Sequence, residues 1–204
     1  LAMQGSGIPL MDMGSAVLKL NDGGSFNLLI GATDIGTGSD TILAQIAAET
    51  LNIDTSDIIV YSSDSDTTPF DTGAYASSTT YVSGNAVRNC ALNMKNEIIK
   101  AGALKFGVDV SQVEFDGKFI KTLDGSQSVS LKRFSEGLYY NYGAIQQQIV
   151  AGGSFVGHVS PPPFLAGFAE VEVDLETGKY TLLDYVAVVD CGTTINPNLA
   201  KIQV

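Results

Sequence analysis

The chain has 204 residues, 45% hydrophobic and 16% charged, which suits one large folded domain or two small ones and excludes a disordered chain. Twenty-two acidic against eleven basic residues give a formal charge of −11, which repels nucleic acid and anionic membrane surfaces. With Cys90 and Cys191 as the only cysteines and His158 the only histidine, the chain cannot build a clustered zinc site or a cysteine-rich iron–sulfur centre of its own. No apolar run approaches the roughly twenty residues of a membrane span, and no charged start leads into an apolar targeting segment. A soluble, cytoplasmic chain is therefore expected. Both cysteines are read as buried thiols, and His158 as an ordinary packed or solvated histidine.

The opening residues, Leu1 to Pro9, hold Gly5-Ser6-Gly7 and no initiating methionine, which reads as a cut end. Ser15 to Leu20 alternates, Asn21 to Gly24 supplies turn residues, and Phe26 to Ile30 resumes the apolar run, which predicts a β-hairpin. Gly31 to Thr41, GATDIGTGSDT, then leads into Ile42, Leu43, Ile46, Ala47, Thr50 and Leu51 on one helical face. Strand, glycine-rich turn, helix is one way of presenting N–H groups to a phosphate, but the spacing matches neither a Walker loop nor GxGxxG, and Gly36-Thr37-Gly38 fits a simple capped turn equally well.

Asp57 to Ser62 is a short β-branched strand, and Asp64 to Asp71 lacks the glycine and closing glutamate of an EF-hand, so it is read as a polar loop directed by Pro69. The stretch Asp71 to Ala91, DTGAYASSTTYVSGNAVRNCA, puts Ser77, Ser78, Thr79 and Thr80 ahead of an amphipathic helix. Its apolar positions, Ala86, Val87, Cys90, Ala91, Met94 and Ile98, carry the helix to about Ala103. Short hydroxyl side chains before free first-turn amides suit an anionic ligand, and they suit a helix cap as well.

Beyond this helix, Gln112 to Lys121 alternates around a turn at Asp116-Gly117, and Ser130 begins a short helix to Tyr140. Asn141 to Pro163, with Gly143, Gly152, Gly153, Gly157 and three successive prolines, is read as an extended excursion. From Phe164, Ala169, Val171 and Val173 alternate with acidic residues, Thr177-Gly178 turns, and Tyr180 to Val189 returns, a hairpin expected to cover a sheet. Asn196-Pro197 then opens a helix over the last residues. Together these elements predict an α+β chain, a two-layer α/β unit with a mixed sheet and helices on one face.

Three segments in this order, Gly31–Leu51, Asp66–Val87 and Ala169–Val204, resemble the molybdenum-binding subunit of the xanthine dehydrogenase and aldehyde oxidoreductase family, and PFDTGAYAS is most similar to bacterial xanthine dehydrogenases. The resemblance implies a molybdenum–molybdopterin cofactor, plain or as a dinucleotide, to which the protein gives no cysteine or histidine ligand. It implies that Ala76, Ser77, Ser78 and Thr79 form the loop contacting the pterin and its phosphate. Gly36, Thr37 and Gly38 stand where the family's Gly-Gln-Gly turn meets the cofactor, and Gln203 matches a cofactor-contacting glutamine after the INP segment. Thr37 departs from the family, since its side chain cannot extend an amide as glutamine does.

The family inserts a water-derived oxygen into a C–H bond beside a ring nitrogen or in an aldehyde, using a glutamate base, with electrons leaving through iron–sulfur clusters and FAD on other domains or subunits. That glutamate is expected past Val204 and the substrate-orienting residues upstream. The chain is accordingly read as residues 1–204 of one cofactor-binding domain, truncated at both ends and inactive alone. Its expected partners are a purine or related heterocycle, the rest of the molybdenum subunit, and iron–sulfur and flavin subunits, with no nucleic acid or membrane. A non-catalytic scaffold of the same fold, an aldehyde-oxidising enzyme and a nucleotide-phosphate site at Gly36–Ser39 are the alternatives.

Overall fold

The computed structural model describes residues 1–140 and 145–204. After a two-residue strand β1 (Ala2–Met3), β2 (Met13–Leu20) and β3 (Phe26–Ile30) form the expected antiparallel hairpin, with Val17 opposite Leu29. Gly14, Ala16, Leu18 and Leu20 point inward from β2, and Phe26, Leu28 and Ile30 from β3, because alternate strand residues face one side. The helix α1 (Ser39–Leu51) then carries the chain back so that β4 (Ile58–Ser62) pairs parallel with β3, Leu28 opposite Val60.

The 28-residue helix α2 (Thr79–Phe106) crosses the same face of the sheet. Its buried stripe of Val87, Cys90, Ala91, Met94 and Ile98 joins the strand interior in one core. At its far end lies a small sheet of β5 (Val113–Phe115), β6 (Phe119–Thr122) and β7 (Ser128–Ser130). The turn at Asp116-Gly117 is where expected, and β7 is an added strand. The helix α3 (Leu131–Tyr140) begins as expected after Ser130, whose hydroxyl accepts from the Arg133 amide at 3.4 Å.

The predicted excursion over Asn141 to Pro163 needs correction. Its first residues, 141–144, lie outside the described ones, but Val150–Val156 is a strand, β8, which pairs antiparallel with β2 to give the mixed order β4-β3-β2-β8. The alternation was invisible because α2 lies too close for large side chains. A Cβ on Gly153 would fall 2.3 Å from the Cys90 amide nitrogen and 2.8 Å from the Ala86 carbonyl. Gly14 meets Ser83 of α2 in the same way, at 2.9 Å.

Strands β9 (Phe164–Val173) and β10 (Tyr180–Asp190) form the expected hairpin, but it does not cover the central sheet. It joins β1 in a separate three-stranded sheet whose side chains are largely exposed among the described residues. The chain ends in α4 (Pro197–Ile202), capped by Asn196, whose side chain accepts from the amides of Asn198 and Leu199. No helix among the described residues is long and apolar enough to cross a membrane.

The close approach of α2 to β8 generates a paired test. Gly153→Ala should destabilise the chain by about 1–3 kcal/mol through overpacking, whereas Gly152→Ala, whose Cβ would meet nothing nearer than 3.8 Å, should fall within about 0.5 kcal/mol of the parent. Urea unfolding at constant slope is the measurement.

Candidate functional site

Because β3 and β4 run parallel, the chain leaves both at the same edge of the sheet, and α1 and α2 both start there. The two starts are nearly level. Gly84, six residues after Ser78, packs on Ile46 and Leu43 of α1, and Leu43 is five residues after Gly38. At about 1.5 Å per residue, these offsets differ by less than one turn. The expected site residues Gly36, Thr37 and Gly38 are therefore brought to the same edge as Ala76, Ser77, Ser78 and Thr79. The helix α4 rests there too, with Leu199 against Gly38 and the Asn196 amide donating to Gln45 Oε1 at 3.2 Å. Gln203, four residues after Leu199, caps this helix at its exposed end.

The two loops differ in what they offer a ligand. In the Gly36–Gly38 turn both glycines have positive φ, and the Asp34 carboxylate folds back to accept from the amides of Gly36 at 2.9 Å, Gly38 at 3.1 Å and Asp40 at 3.3 Å. Burial opposes ionisation of Asp34, but these amide bonds outweigh it and hold its carboxyl below the usual range. The Gly38 and Asp40 amides at the helix start are thus satisfied from within the chain, and an added phosphate would meet a carboxylate. What the turn leaves free is close backbone approach, since a Cβ on Gly36 would meet nothing within 4 Å.

The second loop is braced from several sides. Asp71 accepts from the Gly73 amide at 2.9 Å and the Ser83 hydroxyl at 2.6 Å, the Thr72 amide donates to the Met13 carbonyl, and the Tyr75 hydroxyl donates to the buried Asp12 carboxylate at 2.5 Å. The Gly7 amide donates to the Ala76 carbonyl at 2.8 Å, and the Gln4 side chain donates to Ser77 Oγ at 2.6 Å. Held by these contacts, Ala76 and Ser77 both lie in the left-handed region, with φ of 49° and 54°. For residues with a Cβ that conformation costs roughly 1–2 kcal/mol each.

Among the described residues neither the Ala76 nor the Ser77 amide has an acceptor. Consecutive strained residues with unpaired donors are the sign of a backbone shaped for a ligand. Ser77 is exposed and Thr79 half-buried, so their hydroxyls lie beside these amides, whereas Ser78 is buried. Sequence reasoning singled out this loop but not Asp34 or Asp12, whose carboxylates accept from the amides of Gly36, Gly38 and Asp40 and from the Tyr75 hydroxyl, because an aspartate near a glycine turn carries no signal of its target.

The donors fit a polar anion without any cation. No lysine or arginine occurs between Lys19 and Arg88, and among the described residues no group of three His, Cys, Asp or Glu side chains is placed to hold a metal ion. Cys191 is exposed, which corrects its reading as a buried thiol. Cys90 is buried as expected; desolvation pushes its thiol up to about 12, and it donates to the Ala151 carbonyl at 3.2 Å.

Because the folded pKa of Asp34 is depressed, its stabilisation is present above the ordinary carboxylate value of 3.8 and is lost as pH falls through the folded value. Asp34→Ala should cost about 0.5–2 kcal/mol at pH 7. Urea unfolding should show that difference shrinking at lower pH.

The model of the molybdopterin cofactor-binding domain matches residues 1–204. A protein of Escherichia coli K12 described as "Probable hypoxanthine oxidase XdhD" is 38% identical over 213 residues, covering 100% of this chain and 21% of that protein. The xanthine dehydrogenase molybdenum-binding subunit of Escherichia coli O157:H7 is 34% identical over 197 residues, covering 95% of this chain and 26% of that subunit. Among solved structures, CO dehydrogenase from Oligotropha carboxidovorans superposes with a TM-score of 0.79 at 26% identity, over 93% of this chain and 24% of that one. The chain thus spans about a quarter or less of the length of these relatives and belongs to the molybdopterin cofactor-binding domain family of molybdenum hydroxylases.

Proposed function

We propose that residues 1–204 grip the molybdenum–molybdopterin cofactor of a purine-oxidising enzyme of the xanthine dehydrogenase type. The observation that carries this reading is the pair of unpaired amides on the left-handed residues Ala76 and Ser77, at the start of α2 and at the same sheet edge as the Gly36–Gly38 turn. In it, the Ala76 and Ser77 amides and the Ser77 and Thr79 hydroxyls hold the anionic part of the cofactor. Ser78, being buried, acts through its backbone. Gly36 and Gly38 admit the cofactor by close approach, Thr37 contributes a hydroxyl where glutamine would reach further, and Gln203 offers its amide from the end of α4. Bound there, the cofactor supplies the metal redox chemistry, and this stretch supplies orientation.

The purine preference rests on the relatives' names: 38% and 34% identity to proteins described as a hypoxanthine oxidase and a xanthine dehydrogenase subunit, against 28% to a CO dehydrogenase large chain. An aldehyde substrate is the second reading, favoured by 29% identity to an aldehyde oxidoreductase molybdenum-binding subunit of Escherichia coli K12. Residues 1–204 would then be part of one domain, with the catalytic base, the iron–sulfur clusters and the flavin carried elsewhere in the subunit or its partners.

The β9–β10 sheet supports such partners. Val171, Val173, Tyr180, Leu182 and Tyr185 share one face by their pairing and are all about half exposed or more. Beyond the short stretch where β1 pairs with β9 this is a two-stranded ribbon, which with an apolar face is marginal in water, and the rest of the subunit would cover it.

Two measurements test this function. In the full-length subunit, Ser77→Ala and Thr79→Val should each lower cofactor affinity about 2- to 10-fold, the equivalent of a hydrogen bond worth about 0.5–1.5 kcal/mol. Molybdenum and phosphorus analysis should show the loss while the melting temperature stays near the parent's; full occupancy in both variants counts against the loop. Residues 1–204 alone, supplied with cofactor, should turn over neither xanthine nor an aldehyde, and measurable turnover would refute the division of labour.

A further inference from the structure

Asp12 is fully buried, yet it lies in neither of the loops assigned to the cofactor. One carboxylate oxygen accepts from the Ile8 amide at 2.7 Å and the other from the Tyr75 hydroxyl at 2.5 Å. That second bond, helped by desolvation, raises the pKa of the Tyr75 hydroxyl, so the phenol stays a donor. Tyr75 directly precedes the strained pair Ala76–Ser77. The strap that carries Asp12 touches the pair again through Gly7 and Gln4, and it is itself tied down by the Ser160 hydroxyl on the Gly7 carbonyl at 2.9 Å and by the Leu10 amide on the Gly157 carbonyl at 2.7 Å. Gly7, with φ of 86°, is wedged so that a Cβ would lie 3.2 Å from Asp12 and 3.5 Å from Ser78.

We propose that Asp12 and Tyr75 are positioning residues for the cofactor loop: the buried carboxylate, through the Tyr75 hydroxyl, holds Ala76 and Ser77 in the left-handed region, so that their unpaired amides are fixed before the cofactor arrives. This rests on the cofactor reading. Two residues with a Cβ would leave that region if released, and the amides would then be aimed only at the expense of binding. This half-buried bond supplies the constraint in advance.

Tyr75→Phe in the full-length subunit removes one O–H and keeps the ring, so it tests the latch even if Asp12→Asn fails to fold. The expected result is cofactor dissociation at least 10-fold faster than in the parent, followed as molybdenum lost on dilution. In the cofactor-free subunit, the Gly7 and Ser78 amides, which bond to the loop, should exchange hydrogen at least 10-fold faster, while Val87 to Ile98 of α2 exchange as in the parent. Adding Ala76→Gly to Tyr75→Phe should restore most of the retention, because glycine takes positive φ without the Cβ clash. A loaded parent with an equally retentive Tyr75→Phe variant overturns the inference alone. So does a loss that Ala76→Gly leaves untouched, which would mark a merely structural bond. A full-length parent that contains neither molybdenum nor phosphorus overturns the cofactor reading and this inference together.

Discussion

The parallel pairing of β3 with β4 is the constraint on which the site depends. Antiparallel neighbours would send successive connections to opposite ends of a sheet, whereas a parallel pair with a helix between its strands sends both to one end. Two loops forty residues apart in sequence therefore open side by side, with α1 and α2 holding the space behind them. The glycines that let α2 settle on β2 and β8 tighten the arrangement, since a packed interior transmits the position of one element to the next.

Within that frame, the carboxylates of an acidic chain decide which backbone donors are already taken. Asp34 and Asp71 consume the amides of Gly36, Gly38, Asp40 and Gly73, and Asp12 consumes that of Ile8. The donors that remain on Ala76 and Ser77 lie between the amides of Tyr75 and Ser78, which bond to the Gly73 and Tyr75 carbonyls. The two turns thereby differ: one folds around the internal carboxylate of Asp34 and leaves room at Gly36, and the other is braced by Asp12 through Tyr75 and keeps donors on Ala76 and Ser77.

Much of the fold was legible because its signals are local. Alternation marked β2 and β3, the three- and four-residue spacing of Ala86 to Ile98 marked α2, and Asn196-Pro197 marked the start of α4. Strand β8 was illegible for a physical reason, because where a helix backbone touches a strand the inward side chain must vanish, and with it the apolar alternation. The hydroxyl run at Ser77 to Thr80 was likewise readable as a ligand loop or cap. The left-handed backbone of Ala76 and Ser77, which bears on that choice, accompanies contacts with residues some seventy positions away and leaves no local trace. The exposed setting of β9 and β10 was hidden because an apolar stripe predicts burial without saying by what.

That ribbon also bears on how such a polypeptide reaches its native form. The central sheet, α1 and α2 share a core that needs nothing from β9 or β10, so it can close early. The ribbon, with β10 an unprotected edge of eleven residues, keeps its apolar face exposed. Left so, it is an adhesive strip, and Glu170, Glu172 and Asp184, gathered on its other face, are the charges that discourage like strips from stacking.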